Sequence, residues 1–163
     1  MIVVSNASPL IALSTIDLLD TLAKLYGNIH IPQAVNKEVI AAGQGRPGSQ
    51  EVATAQWIIC HAVADQWSVA QLQASTGLDR GESEAIILAN ELNASLIILD
   101  DKDARQYCQT CQLPIIGTVG LLLLAKDDGI IPTIKQPLEA LITAGIRVGA
   151  VLYSEVLRRA GEL

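Results

Sequence analysis

Between Leu78 and Asp103 the chain enters a helical stretch that runs through Leu92, passes into the wholly apolar segment Leu96-Ile97-Ile98-Leu99, and ends on Asp100-Asp101-Lys102-Asp103. A strand that is apolar on both faces must be covered on both, which is the condition of a parallel strand sandwiched between helices. The same alternation runs through the whole sequence. Ile2-Val3-Val4 is a short β-branched run, and Ser5-Asn6-Ala7-Ser8-Pro9 leads from it into a helical pattern containing Leu10, Leu13, Leu18, Leu22 and Leu25. Ser8 followed by Pro9 predicts an N-cap and first turn. Ile29-His30-Ile31 predicts a second strand, and Pro32 opens a helix carrying Val35, Val39 and Ile40 that stops at Gly43. A helix near Gln50 to Gln56 leads to a strand from Trp57 to Val63 and a polar helix around Ser68 to Ser75. Beyond Asp103 the pattern predicts a helix to about Cys111, a fifth strand at Pro114-Ile115-Ile116, and helices at about Val119 to Asp127, Pro137 to Thr143 and Ala150 to Arg159. The expectation is a three-layer α/β/α fold with a central parallel sheet of about five strands. It forms a single domain over residues 1–163, with a helical extension from about 133.

A chain of 163 residues is long enough to bury most of its apolar surface in one core. Phe is absent and Trp and Tyr are few, so that core must be built from Leu, Ile, Val and Ala. The net charge of −6 argues against broad attraction to nucleic acid, which rests on Lys and Arg displacing counterions. It is compatible with acidity concentrated in one pocket. The basic residues available near the acids are Arg46, Arg80, Lys102, Arg105 and Lys126. The start has no basic cluster, and the longest apolar stretch, near Val119 to Ala125, is too short to span a bilayer. A soluble cytoplasmic protein is expected. The Cys108-Gln109-Thr110-Cys111 motif falls late in a helix, where no dipole activates a thiol, and His30 and His61 lack zinc-ligand spacing. With Cys60 the cysteines number three, so ordinary thiols are expected.

The chemistry lies in the acids. Glu38 is on the helix after the second strand, Glu82 and Glu84 open the helix feeding the fourth, and Asp101 and Asp103 follow that fourth strand. Asn6 follows the first strand, at a place where such a constellation would use an aspartate. In an open parallel sheet, functional groups gather beyond the carboxyl ends of the strands where strand order reverses, so all six meet if the first and fourth strands are neighbours. Clustered carboxylates repel one another and call for a cation. Oxygen donors without Cys or His favour magnesium or manganese, which can activate water for phosphodiester cleavage. Each acid alone has a simpler reading as a helix cap, a dipole partner or a solvated Glu. Their joint placement carries the inference.

Taken together, these segments resemble the PIN-domain family, the Rossmann-like nuclease fold of VapC-like toxin ribonucleases. Val3 to Leu13 resembles the opening strand and helix, where the position of Asn6 is usually aspartate. Glu38 falls at the family's second acid. Gly81-Glu82-Ser83-Glu84-Ala85 resembles the metal-binding segment of the related flap endonucleases, and Leu99-Asp100-Asp101-Lys102-Asp103 matches the acidic end of the fourth strand. Thr118-Val119-Gly120-Leu121-Leu122 with the helical extension is similar to a prokaryotic PIN branch of predicted nucleic-acid-binding proteins. The resemblance implies a magnesium- or manganese-dependent endoribonuclease, homodimeric and held inactive by a small antitoxin. Glu38, Glu84, Asp101 and Asp103 would be catalytic, with Asn6 and Glu82 completing the metal set. Ser8 would orient the first ligand, while Lys102 and Arg105 would contact RNA phosphates. An amide at position 6 carries no charge and weakens such a site, so a catalytically silent domain that binds RNA or a protein partner is the alternative expectation.

Overall fold

The computed structural model describes residues 1–163. Five short strands, β1 (Val3–Ser5), β2 (Ile29–Pro32), β3 (Ile58–His61), β4 (Leu96–Ile98) and β5 (Ile115–Ile116), form one parallel sheet in the order β3-β2-β1-β4-β5. The chain builds outwards from β1 in one direction through β2 and β3, then returns to place β4 on the other side of β1. Strand order therefore reverses between β1 and β4, whose ladder pairs Val3 with Leu96, Val4 with Ile97 and Ser5 with Ile98.

Alternation along these strands sorts the core into two layers. Val3, Ile29, Ile31 and Ile98 face a cluster completed by α1 (Ala7–Thr15), α2 (Thr21–Tyr26), α3 (Gln33–Asn36), α8 (Thr118–Asp127), α9 (Lys135–Thr143) and α10 (Ala150–Arg159). Val4, Ile97 and Leu99 face a second cluster with α5 (Gln66–Thr76), α6 (Arg80–Glu91) and α7 (Lys102–Thr110). The fold is the expected α/β/α sandwich. A further short helix, α4 (Ser49–Thr54), follows α3, which itself runs on as a π-helical turn, Lys37–Ala41. Two residues beyond that turn stands Gly43, where a Cβ would overlap the Val39 carbonyl.

Three local expectations are corrected. The Leu10 to Leu25 pattern is two helices, because after Thr15 the chain turns through a left-handed Asp17 (φ 57°) before α2 begins. The N-cap of α1 is Asn6 and not Ser8, because the Asn6 N–H still donates to the Ile98 carbonyl (3.0 Å) and the helix starts directly where the ladder ends. The third strand is shorter than Trp57 to Val63, its ladder with β2 running only from Ile58 to His61 at the sheet edge. There His30 Nδ1 and His61 Nε2 stand 2.8 Å apart, and burial followed by the His61 charge lowers the His30 pKa. Cys108 is fully buried, and burial with the neighbouring Cys111 pushes its thiol up to about 11, an unreactive state. No helix is long and apolar enough to cross a membrane.

The C-terminal helices pack Leu138, Leu141, Val156 and Leu157 into the first cluster. Glu162 clasps them. Its carboxylate accepts from the N–H groups of Ile134 (2.8 Å) and Lys135 (3.1 Å) at the start of α9, and pairs with Lys126 at 2.7 Å. Burial alone would raise its pKa, but the Lys126 hydrogen bond and charge and the two backbone donors together bring it to about 2. A carboxylate depressed on folding stabilises above its ordinary value of 4.5, and that contribution is lost as pH falls towards 2. Glu162→Gln is accordingly expected to lower the melting temperature at neutral pH and to flatten the acid limb of the stability profile between those values. A pH series of thermal melts on both proteins measures this.

Candidate active site

The carboxyl edge of β1 and β4 is where the side chains converge. Asn6 leaves β1 buried, at 4% exposure, and its Oδ1 has no hydrogen-bond partner. Above it lies the first turn of α6. A Cβ on Gly81 would stand 3.6 Å from both Asn6 Oδ1 and Asp79 Oδ1, and 3.7 Å from Val35, which places the helix start directly over the amide.

The first turn of α6 is a reciprocal capping box. Asp79 Oδ1 accepts from the Glu82 N–H (2.8 Å) and Glu82 Oε2 accepts from the Asp79 N–H (3.0 Å). Partial burial raises the pKa of Glu82. The Asp79 N–H bond opposes this, while the charges of Asp79, Asp101 and Glu38 add to it. Desolvation and then Asp79 raise Glu38 as well. Glu82 thus lies in the field of Asp79, Asp101 and Glu38, and Glu38 in that of Asp79, while the Asn6 amide is orphaned beneath the same helix start. Asp79 was not anticipated as part of this group, although the Asp-x-x-Glu spacing of Asp79 and Glu82 is the signature of its cap.

Glu84 is placed differently. It is 2% exposed, and both its oxygens are engaged: Oε1 accepts from Ala34 N–H at the start of α3 (3.3 Å) and Oε2 pairs with Arg80 Nε (2.8 Å), whose Nη2 continues to Gln66 (3.0 Å). Asp101 caps α7 through a bond from Ala104 N–H (2.9 Å), while Asp103 and Lys102 are exposed on the same first turn. Ser8 is exposed and lines a cavity beside the edge.

Asp100 has a structural task. Its two oxygens take the N–H (2.7 Å) and hydroxyl (2.5 Å) of Thr118, tying β4 to the start of α8. Arg105 donates to the Leu99 carbonyl (3.1 Å), and both side chains press on Gly117, where a Cβ would come within 2.6 Å of Arg105 Nη1 and 2.8 Å of Asp100 Oδ1. The two groups fix the end of β4 and hence the position of Asp101.

The donor set at this edge is oxygen only: one partnerless amide carbonyl and several mutually repelling carboxylates. An unsatisfied buried acceptor costs about 1–3 kcal/mol, and crowded carboxylates resist ionising together. A hard divalent cation relieves both, so the residues fit one by donor chemistry. No three Asp, Glu, His or Cys side chains stand close enough to share an ion directly. The arrangement suits magnesium or manganese, which retain much of their water and need few protein ligands.

No curated protein sequence matches the chain significantly. A family model described as a PIN domain matches residues 2–162, nearly the entire length. With a five-stranded parallel sheet between two helical layers and acids at its switch point, the chain belongs to the PIN-domain family.

Proposed function

We propose that this PIN domain is a divalent-cation-dependent endoribonuclease of the toxin type, working as a cytoplasmic homodimer and held in check by a small antitoxin protein. The observation that supports the reading is a buried, unpartnered Asn6 amide at the reversal of strand order, with Glu82 on the neighbouring helix start in the field of Glu38, Asp79 and Asp101. Magnesium or manganese bound there would supply water of lowered pKa and charge neutralisation at the phosphate. Asn6, Glu38, Glu82, Glu84, Asp101 and Asp103 are the residues assigned to hold it. A cation bound there would oppose the burial and like charges that raise Glu38 and Glu82, so both would be ionised in its presence. The backbone ties made by Asp100 and Arg105 keep Asp101 in place, and exposed Lys102 is available to a phosphate oxygen.

A second reading, a catalytically silent PIN domain that binds RNA or a protein partner, is favoured by two particular features. Asn6 brings no charge, and the Glu84 carboxylate is already neutralised by Arg80. The deciding experiment is cleavage of an end-labelled RNA by the native protein and by Asp101→Asn, with manganese, magnesium or EDTA. The nuclease reading expects cutting that EDTA abolishes and that Asp101→Asn reduces by about a hundredfold or more. Binding of the same RNA without any cation-dependent product would overturn it in favour of the silent domain.

A further inference from the structure

A cavity of about 1150 Å³ opens beside the acidic edge. It begins at Ser8, Asp100 and Lys102, passes along α7 and the start of α8, and reaches the segment 146–148 and α10 of the C-terminal extension. Its charge is unlike that of the rest of the molecule. The chain has 11 Lys and Arg against 17 Asp and Glu. Four of those cations, Lys102, Arg105, Arg147 and Arg159, line this cavity, with Asp100 as the single acid. Thr118 engages both its oxygens, and the one negative charge it keeps is outnumbered by the four cations.

The cations are available to different degrees. Lys102 and Arg147 are exposed and take part in no ion pair. Arg159 pairs only with exposed Glu155, at 3.4 Å, a contact worth little in water. Arg105 is anchored on the Leu99 carbonyl, so one guanidinium is held in advance of any ligand. Between them the walls are aliphatic, with Ile115, Val119, Leu123 and Val148 among the lining residues.

We infer that this cavity is the track for a single strand of nucleic acid leaving the acidic edge, its phosphates following Lys102, Arg105, Arg147 and Arg159. The inference rests on the nuclease or RNA-binding reading of that edge and extends it to the C-terminal helices. Charge complementarity supplies the argument, since a chain of net charge −6 concentrates cations here and needs a local counter-field to admit a polyanion. Continuity supplies the rest. Lys102 lines the cavity and follows Asp101 directly in sequence, so the cavity begins one residue from the acidic edge. The aliphatic walls accept base and sugar faces with little sequence preference.

The test is fluorescence anisotropy of labelled single-stranded RNA and DNA, each about 12 nucleotides long, on the full chain in EDTA so that no cutting occurs. Arg147→Glu is compared with Arg158→Glu, an equal charge change on α10 at a residue that does not line the cavity. Arg147→Glu is expected to weaken binding about tenfold and to make the salt dependence shallower by about one unit, while Arg158→Glu stays within about twofold of native. RNA and DNA arms separate the two sources of a phosphate backbone. Equal losses in both variants would indicate a diffuse field and overturn the groove. Native binding or cation-dependent cleavage unaffected by Arg147→Glu would overturn it too, while leaving the proposed function standing. A native protein that neither binds nor cuts would defeat both. Arg147-dependent capture of an acidic amphipathic peptide, with oligonucleotide binding indifferent to Arg147, would assign the cavity to a protein and also overturn the inference.

Discussion

Asn6→Asp is expected to tighten manganese binding by at least about tenfold and to lose much of its cost in stability when the cation is added. The position is 4% exposed, with the carboxylate of Asp79 close by and a field shared by Glu38, Glu82 and Asp101. A new carboxylate there is desolvated and repelled, so in EDTA the variant is expected to lose about 1–3 kcal/mol. Its pKa is raised on folding, and an acid of that kind destabilises increasingly as pH climbs above its unfolded value of about 3.9. At a hundred times the variant's dissociation constant the cation returns about 2.7 kcal/mol, against about 1.4 for a native site tenfold weaker, so the variant's deficit shrinks by about 1.3 kcal/mol. Melting temperatures in EDTA and in manganese, with RNA cleavage in parallel, give the answer. The same destabilisation in both buffers would mean that no cation is held at this edge.

That outcome depends on a site whose members differ in how far the sequence revealed them. Strand positions were legible because each short β-branched run has to be buried on both sides, and Val3 and Val4 do face opposite layers. The neighbouring of β1 and β4 followed only conditionally, since pairing is set by how the helices pack and not by any one segment. The six positions were visible as a spacing of five acids and one amide, but their hydrogen bonds were not. Glu82 and Asp101 proved to be caps as well as members of the cluster, two roles that occupy the same first-turn positions and look alike in sequence. Asp79 escaped notice for the converse reason, because a capping residue ahead of a helix is commonplace and only its charge beside Glu38 and Glu82 gives it a second role. Arg105 reads in sequence as a phosphate contact, and its anchoring at the end of β4, where Gly117 leaves it room, has no mark there. The π-helical turn that carries Glu38 has no sequence mark of its own, although such turns occur often at functional sites.

Glu84 divides most sharply between a structural and a chemical role, and a pair of substitutions separates them. Glu84→Ala removes a carboxylate that is 3% exposed at its side chain, leaves the Ala34 N–H without its partner at the start of α3, and frees Arg80. The expected loss is about 2–4 kcal/mol, measured by urea unfolding, because a buried network loses its centre. Arg80→Met acts from the other side. Arg80 is 63% exposed, so water replaces much of what its own guanidinium gave up, but the carboxylate it leaves behind is buried and uncompensated. If Glu84 is a cation ligand held closed by Arg80, manganese must stabilise Arg80→Met more than it stabilises the native protein, and must do less for Glu84→Ala. If Glu84 only ties α6 to α3, Arg80→Met will be destabilised to the same degree with and without manganese. The i,i+4 spacing of Arg80 and Glu84 makes the first result physically attainable, since the pair can open by rotation of an exposed side chain without unwinding the helix.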